Sequence, residues 1–140
     1  MVLMFQKRFA LPILSGRKCQ TIRPPRKRPI KVGESLSLRH WYDKAYRSPQ
    51  VEIKAVVCTA VFQIDVGFDG VWIAGSEVED LELFAAGDGF QSWIEMKNYL
   101  RFGGYGLPFS GELIQWDQPA LLTGDDEASR WLAPQLHLLL

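Results

Sequence analysis

Residues 51–66 constrain this chain more than any other stretch. From Ala55 to Ile64 the run is almost continuously apolar, and it stops at Gly67. Such a run predicts a long strand, buried on both faces or set in a small barrel. It falls well short of the ~20 apolar residues that cross a bilayer. Shorter strands are expected around it. Val2 to Phe5 reads as one, and Ser35 to Arg39 alternates with Leu36 and Leu38 inward. Val71-Trp72-Ile73 follows a turn bracketed by Gly67 and Gly70, and Phe109 to Trp116 supplies a closing strand.

Three segments carry a helical period instead. Phe9, Ile13 and Leu14 fall on one face of a turn closed by Gly16, with Pro12 distorting its start. Val78, Leu81, Phe84 and Ala85 share a face behind Glu77, Glu79 and Asp80, acids that suit a helix N-terminus, and Gly87 suits its end. Asp88-Gly89-Phe90-Gln91 then reads as the cap of a further helix that turns Phe90, Trp93 and Ile94 inward and ends before Gly103-Gly104. Short strands with small helices clustered between them predict an α+β domain built on a small barrel.

The 140 residues suit one domain, and the formal net charge is zero, yet the charges are segregated. Residues 1–47 hold twelve of the sixteen Lys and Arg and two acids, a net of +10; residues 48–140 hold four bases and fourteen acids, a net of −10. This asymmetry points to a basic surface for an anionic partner, nucleic acid above all, unless the two halves interleave in space and neutralise each other. Cys19 and Cys58 match neither a metal spacing nor a disulfide framework, and no metal or other cofactor is expected. Gln6-Lys7-Arg8 interrupts the N-terminal apolar run, so no secretory signal is expected and the compartment reads as cytoplasmic.

Chemistry concentrates in Gly16-Arg17-Lys18-Cys19-Gln20-Thr21-Ile22-Arg23. A strand after the glycine-led turn puts Thr21 and Arg23 on one face, with Lys18 in the turn leaning over it. An ammonium, a hydroxyl and a forked guanidinium converging on one spot suit a phosphate or a polar carbonyl. Next comes Pro24-Pro25-Arg26-Lys27-Arg28-Pro29, an extended cationic loop, read as an arm contacting phosphates or as a solvated loop aiding solubility. His40-Trp41-Tyr42 is an aromatic trio that stacks bases or plugs the end of a barrel.

The stretches Phe5-Gln6-Lys7-Arg8-Phe9, Gly16 to Arg23, Gly33-Glu34, Phe84-Ala85 with Asp88-Gly89-Phe90 and Trp93, and Gly111 to Trp116, together with Ile13, resemble the ASCH family over roughly residues 2–117. The resemblance implies a PUA-like β-barrel over 1–117, with short helices flanking a basic cleft, and an association with RNA. Residues 118–140 lie outside it. They form a leucine-rich tail read as helical, packing on the domain or on a partner subunit of a homo-oligomer.

Many ASCH proteins are regarded as RNA-binding modules, some bacterial ones act as ribonucleases, and small ones hydrolyse N4-acetylcytidine with a lysine, a threonine and a glutamate. Carried onto this chain, those roles fall on Lys18, Thr21 and, with aspartate in place of glutamate, Asp88. The expectation is an RNA- or nucleotide-binding domain in which Arg17, Arg23, Arg26, Lys27, Arg28, Tyr42 and Trp93 contact the ligand. The alternatives are a hydrolase of the same fold, either ribonuclease or amidohydrolase on a modified nucleoside, and a protein-interaction module using the tail.

Overall fold

A computed structural model of the chain describes residues 1–117. Its elements run β1 (Val2–Phe5), a 3-10 turn (Lys7–Phe9), α1 (Ala10–Ser15), β2 (Gln20–Arg23), β3 (Ser35–Trp41), β4 (Gln50–Val66), β5 (Val71–Ile73), β6 (Ser76–Glu77), α2 (Leu81–Gly87), α3 (Trp93–Asn98), a π-helical turn (Tyr99–Gly103) and β7 (Phe109–Trp116). The class is α+β: one mixed sheet and a few short helices. No helix among the described residues is long and apolar enough to cross a membrane.

β4 holds the sheet together by serving two neighbours in turn. Its first half, Gln50 to Val57, pairs antiparallel with β3, and Cys58 to Val66 pairs antiparallel with β7. The register slips between Cys58 and Ala60, a bulge of the kind that bends a strand and increases its twist. β1 adds to β3 in parallel, β2 adds to β7 antiparallel, and β5 carries β6 off the far end of β4. Along β4 burial alternates from Val56 onward: Val56, Cys58, Ala60, Phe62 and Ile64 face the core while Val57, Thr59 and Gln63 face outward. The expectation of a strand covered on both faces is therefore corrected. Only one face is fully buried: on the other Val57 is exposed and Val61 is partly buried, and these two valines supplied the misleading continuity.

The closed barrel is corrected as well. β1 and β2 are each four residues long and do not pair with one another, so the sheet stays open between them. Pro24 and Pro25, which lack backbone donors, follow directly on β2 and end it there. A side chain bridges the gap instead. Arg23 Nη2 donates to the Met4 carbonyl oxygen at 2.7 Å.

Helix boundaries also shift. Asp80 caps α2, its carboxylate accepting from Leu83 N at 3.0 Å, so Val78 is buried but precedes the helix. Gly87 is the last helical residue, Asp88 is the C-cap, and Gly89 takes the left-handed conformation at φ 94°. α3 begins only at Trp93, with the Ser92 hydroxyl accepting from Glu95 N at 3.1 Å. That Ser92-to-Glu95 spacing is the capping signature, four residues later than the one expected at Asp88. The delay rotates α3, so Ile94 is 62% exposed and Met96 is buried in its place. Leu14 likewise is 56% exposed, because the helix is too short to bury more than Ile13.

The core is continuous from Leu3 and Leu36 through Leu38, Ile64 and Leu113 to Phe84 and Trp116. Leu38→Ala should cost about 2–5 kcal/mol in denaturant unfolding, whereas Leu14→Ala should stay within about 0.5 kcal/mol. Equal losses at the two positions would contradict this packing.

Candidate functional site

The cleft lies at the gap where the sheet fails to close. Its volume is about 430 Å³, in the lower part of the range for small-molecule pockets, and it is lined by residues from β1, β2, the end of β3 and the α2–α3 region.

Two turns meet at its floor. After α1, Gly16 adopts φ 81° and ends the helix, Lys18 N donates to Pro12 O at 3.0 Å, and Cys19 N donates to Gly87 O at 3.3 Å. The last bond pins the start of β2 to the end of α2, which delivers Lys18 to the Asp88 turn. There Lys18 Nζ donates to the Asp88 carbonyl oxygen at 2.5 Å and stands 3.5 Å from its Oδ1. Gly89 is required on two counts. Its backbone is left-handed, and an added Cβ would lie 2.9 Å from Lys18 Cδ and 3.2 Å from Phe9 Cδ1. Asp-Gly-Phe is thus the local answer to three demands: a helix stop, room for the lysine stem, and a buried ring.

Both charged groups are almost entirely out of water, Lys18 at 3% and Asp88 at 5% exposure. Burial pushes the Lys18 ammonium below its ordinary pKa, and the attraction of Asp88 only partly opposes this; the Arg23 charge adds to the lowering. Burial likewise lifts the Asp88 carboxyl from 3.8 to about 6, against the pull of Lys18. Aromatic faces offset some of the desolvation, with Lys18 Nζ 4.8 Å from the Phe9 ring centre and 5.6 Å from that of Phe5. The offset is incomplete. Asp88 Oδ1 meets only the long 3.5 Å contact with Lys18, and neither it nor Gln20 Nε2 makes a well-formed hydrogen bond, although the Gln20 side chain adds to the pull on the Asp88 carboxyl.

Thr21 and Arg23 stand beside the pair on β2. Arg23 Nε donates to Thr21 Oγ1 at 3.2 Å, and the guanidinium lies 4.7 Å from the Phe5 ring centre. The hydroxyl therefore accepts from Arg23 and keeps its own proton for another acceptor. Behind the floor, Phe9, Phe90 and Tyr99 pack edge-on or tilted at 5.2–5.9 Å, and Arg8 lies over all three while paired with Glu95 at 2.6 Å. Tyr99 enters the cleft from the π-helical turn, a feature found often at functional sites.

Lys18, Thr21, Arg23 and Asp88 all line this cleft. The other expected contacts do not. Arg17 is outside the lining, its Nη2 donating to Gly89 O at 3.3 Å. Arg26, Lys27 and Arg28 are exposed on the proline loop beyond β2. Tyr42 is exposed near Lys7, and Trp93 is a core residue whose backbone N–H donates to Glu82 Oε2 at 3.2 Å. The helix period had already placed Trp93 inward, which is where the structure keeps it. Asp88 is released from the capping role that the sequence suggested, since Ser92 performs it. Trp41, singled out in the sequence as one of an aromatic trio, lines the cleft, and so do Phe5, Phe9, Tyr46, Tyr99 and Tyr105, whose separation in the chain concealed them.

No family model, no curated protein and no solved structure matches the chain.

Because the folded chain holds a proton on Asp88 up to about pH 6 that the unfolded chain loses near 3.8, its contribution to stability is fully present below pH ~4 and is lost as pH rises through ~6. Carboxyl-carbon NMR should show Asp88 titrating near pH 6, and Asp88→Asn should abolish the corresponding fall in denaturation midpoint. A carboxyl titrating below pH ~4 would rule out the desolvated pair.

Proposed function

We propose that the cleft binds a nucleotide or nucleoside, free or within RNA, as an ASCH-type ligand site on an opened PUA-like sheet. The observation that carries this reading is the buried Lys18–Asp88 pair, whose charges meet only in a long 3.5 Å contact, set at the floor of an aromatic-walled cleft. A ring flanked by aromatic side chains, with an edge offering both a donor and an acceptor, would sit over the Lys18–Asp88 pair. Arg23 faces the same space and suits an anionic or carbonyl oxygen. Arg26, Lys27 and Arg28 extend the contact outside the cleft, along the phosphates of a longer strand.

Amidohydrolysis is the second reading, favoured by the desolvation of Lys18. Such a reaction needs a lysine that gives up its proton near neutral pH, and burial works in that direction despite Asp88. Thr21 Oγ would attack the amide carbonyl, Lys18 would take the hydroxyl proton and pass it to the leaving amine, and Arg23 would stabilise the developing oxyanion. Water would then release the carboxylic acid from the threonyl ester. A histidine-based ribonuclease finds little here, since His40 Nδ1 meets the Trp41 carbonyl at 2.7 Å and His40 is not among the cleft residues.

Two measurements separate these readings. For an arm that contacts phosphates, changing Arg26, Lys27 and Arg28 together to Ala should flatten the log–log salt dependence of single-stranded RNA affinity by about 2; an unchanged slope removes the arm from the interface. For the hydrolase, N4-acetylcytidine should release acetate in the wild type and Thr21→Ser, and at least ~100-fold more slowly in Thr21→Val. No release at high enzyme concentration leaves the binding reading alone.

A further inference from the structure

The loop between β3 and β4 carries a feature that the Lys18–Asp88 floor does not use. Trp41 and Tyr46 both line the cleft, their ring centres 5.1 Å apart and their planes tilted by 47°. That tilt is neither stacked nor edge-on, so each ring keeps a face uncommitted to the other. Tyr46 is 89% exposed, so core packing does not account for its position. It also stands at φ 63°, a left-handed conformation uncommon for a bulky residue.

The loop is nevertheless tightly held. Tyr42 N donates to Pro49 O at 2.9 Å, Arg47 N to Lys44 O at 3.1 Å, Asp43 N to Ser48 Oγ at 3.0 Å, and Ser48 Oγ to Lys44 O at 2.8 Å. An ordered loop therefore presents an aromatic ring to water in an unfavourable backbone conformation at the mouth of a cleft. Its flanks in sequence are Lys44 and Arg47, both exposed. Exposed aromatic faces interleaved with cations are the physical recipe for single-stranded nucleic acid: the rings stack on bases, and the cations meet the phosphates.

We propose that Trp41 and Tyr46 form an outer stacking subsite that takes the base next to the one held over Lys18 and Asp88. The ligand is then at least a dinucleotide of single-stranded RNA, and the cleft reads a nucleotide together with its neighbour. This rests on the nucleotide reading of the floor and goes beyond it by naming the second base and the residues that hold it.

The test titrates the full chain with each of the four 5′-ribonucleoside monophosphates, and with the same four extended by one adenosine on the 5′ or the 3′ side. At least one mononucleotide should bind, and one of its extensions should bind about 5- to 100-fold more tightly. In Trp41→Ala/Tyr46→Ala that ratio should collapse to about one. Tyr46→Ala alone, at so exposed a position, preserves the fold and should lower the ratio at least ~3-fold. A wild-type ratio of one overturns the proposal, as does a ratio that survives both variants. Equal weakening of both ligands also overturns it, since the rings would then only complete the first pocket. Failure of every mononucleotide to bind, in wild type and in Lys18→Met alike, overturns the nucleotide reading itself and the outer subsite with it.

Discussion

The contact between Lys18 and Asp88 is the constraint around which the cleft is arranged. Removing two charges from water is costly, and a long 3.5 Å ion pair recovers only part of that cost. Part of the remainder is offset by the Asp88 carbonyl, by the Phe9 and Phe5 faces, and by the shift of both groups toward their neutral forms. Buried ion pairs are poor stabilisers compared with apolar residues of the same volume. The pair at the floor of this open cleft is therefore not explained by stability alone.

The sheet makes that cleft available. β4 turns from β3 to β7 at the Cys58–Ala60 bulge, which curls the sheet and brings β1 and β2 towards each other without pairing them. Had the ladder closed, backbone would occupy the space into which Lys18, Thr21 and Arg23 now project. Arg23 spans the gap with one nitrogen on Met4 and another on Thr21. The same side chain thus bridges the opening and orients the hydroxyl.

Charge segregation along the chain does not carry over directly into space. Arg8 pairs with Glu95 and Lys18 with Asp88, each joining a base of the N-terminal segment to a later acid, while Lys54 pairs with Asp117 within the later segment. Two of these pairs draw the basic N-terminal segment onto the acidic helical region. The arm at Arg26 to Arg28 stays exposed outside the cleft, as do Lys7, Arg17, Lys31, Lys44 and Arg47.

Local patterns determined much of this by themselves. Alternation placed Leu36 and Leu38, the glycine and proline positions marked the turns, and the spacing of Lys18, Thr21 and Arg23 on a turn and a following strand was enough to put them together. Such features depend on neighbours within a few residues, which is why they were legible. The tail expectations for residues 118–140 lie outside the described residues. Only tertiary structure decided the rest. It opened the sheet, moved the α3 cap from Asp88 to Ser92, turned Ile94 out to solvent, and assembled the cleft walls from Phe5, Trp41, Tyr46 and Tyr99. Those outcomes turn on contacts between residues up to about ninety positions apart, and on the competing desolvation of groups whose burial no local period encodes.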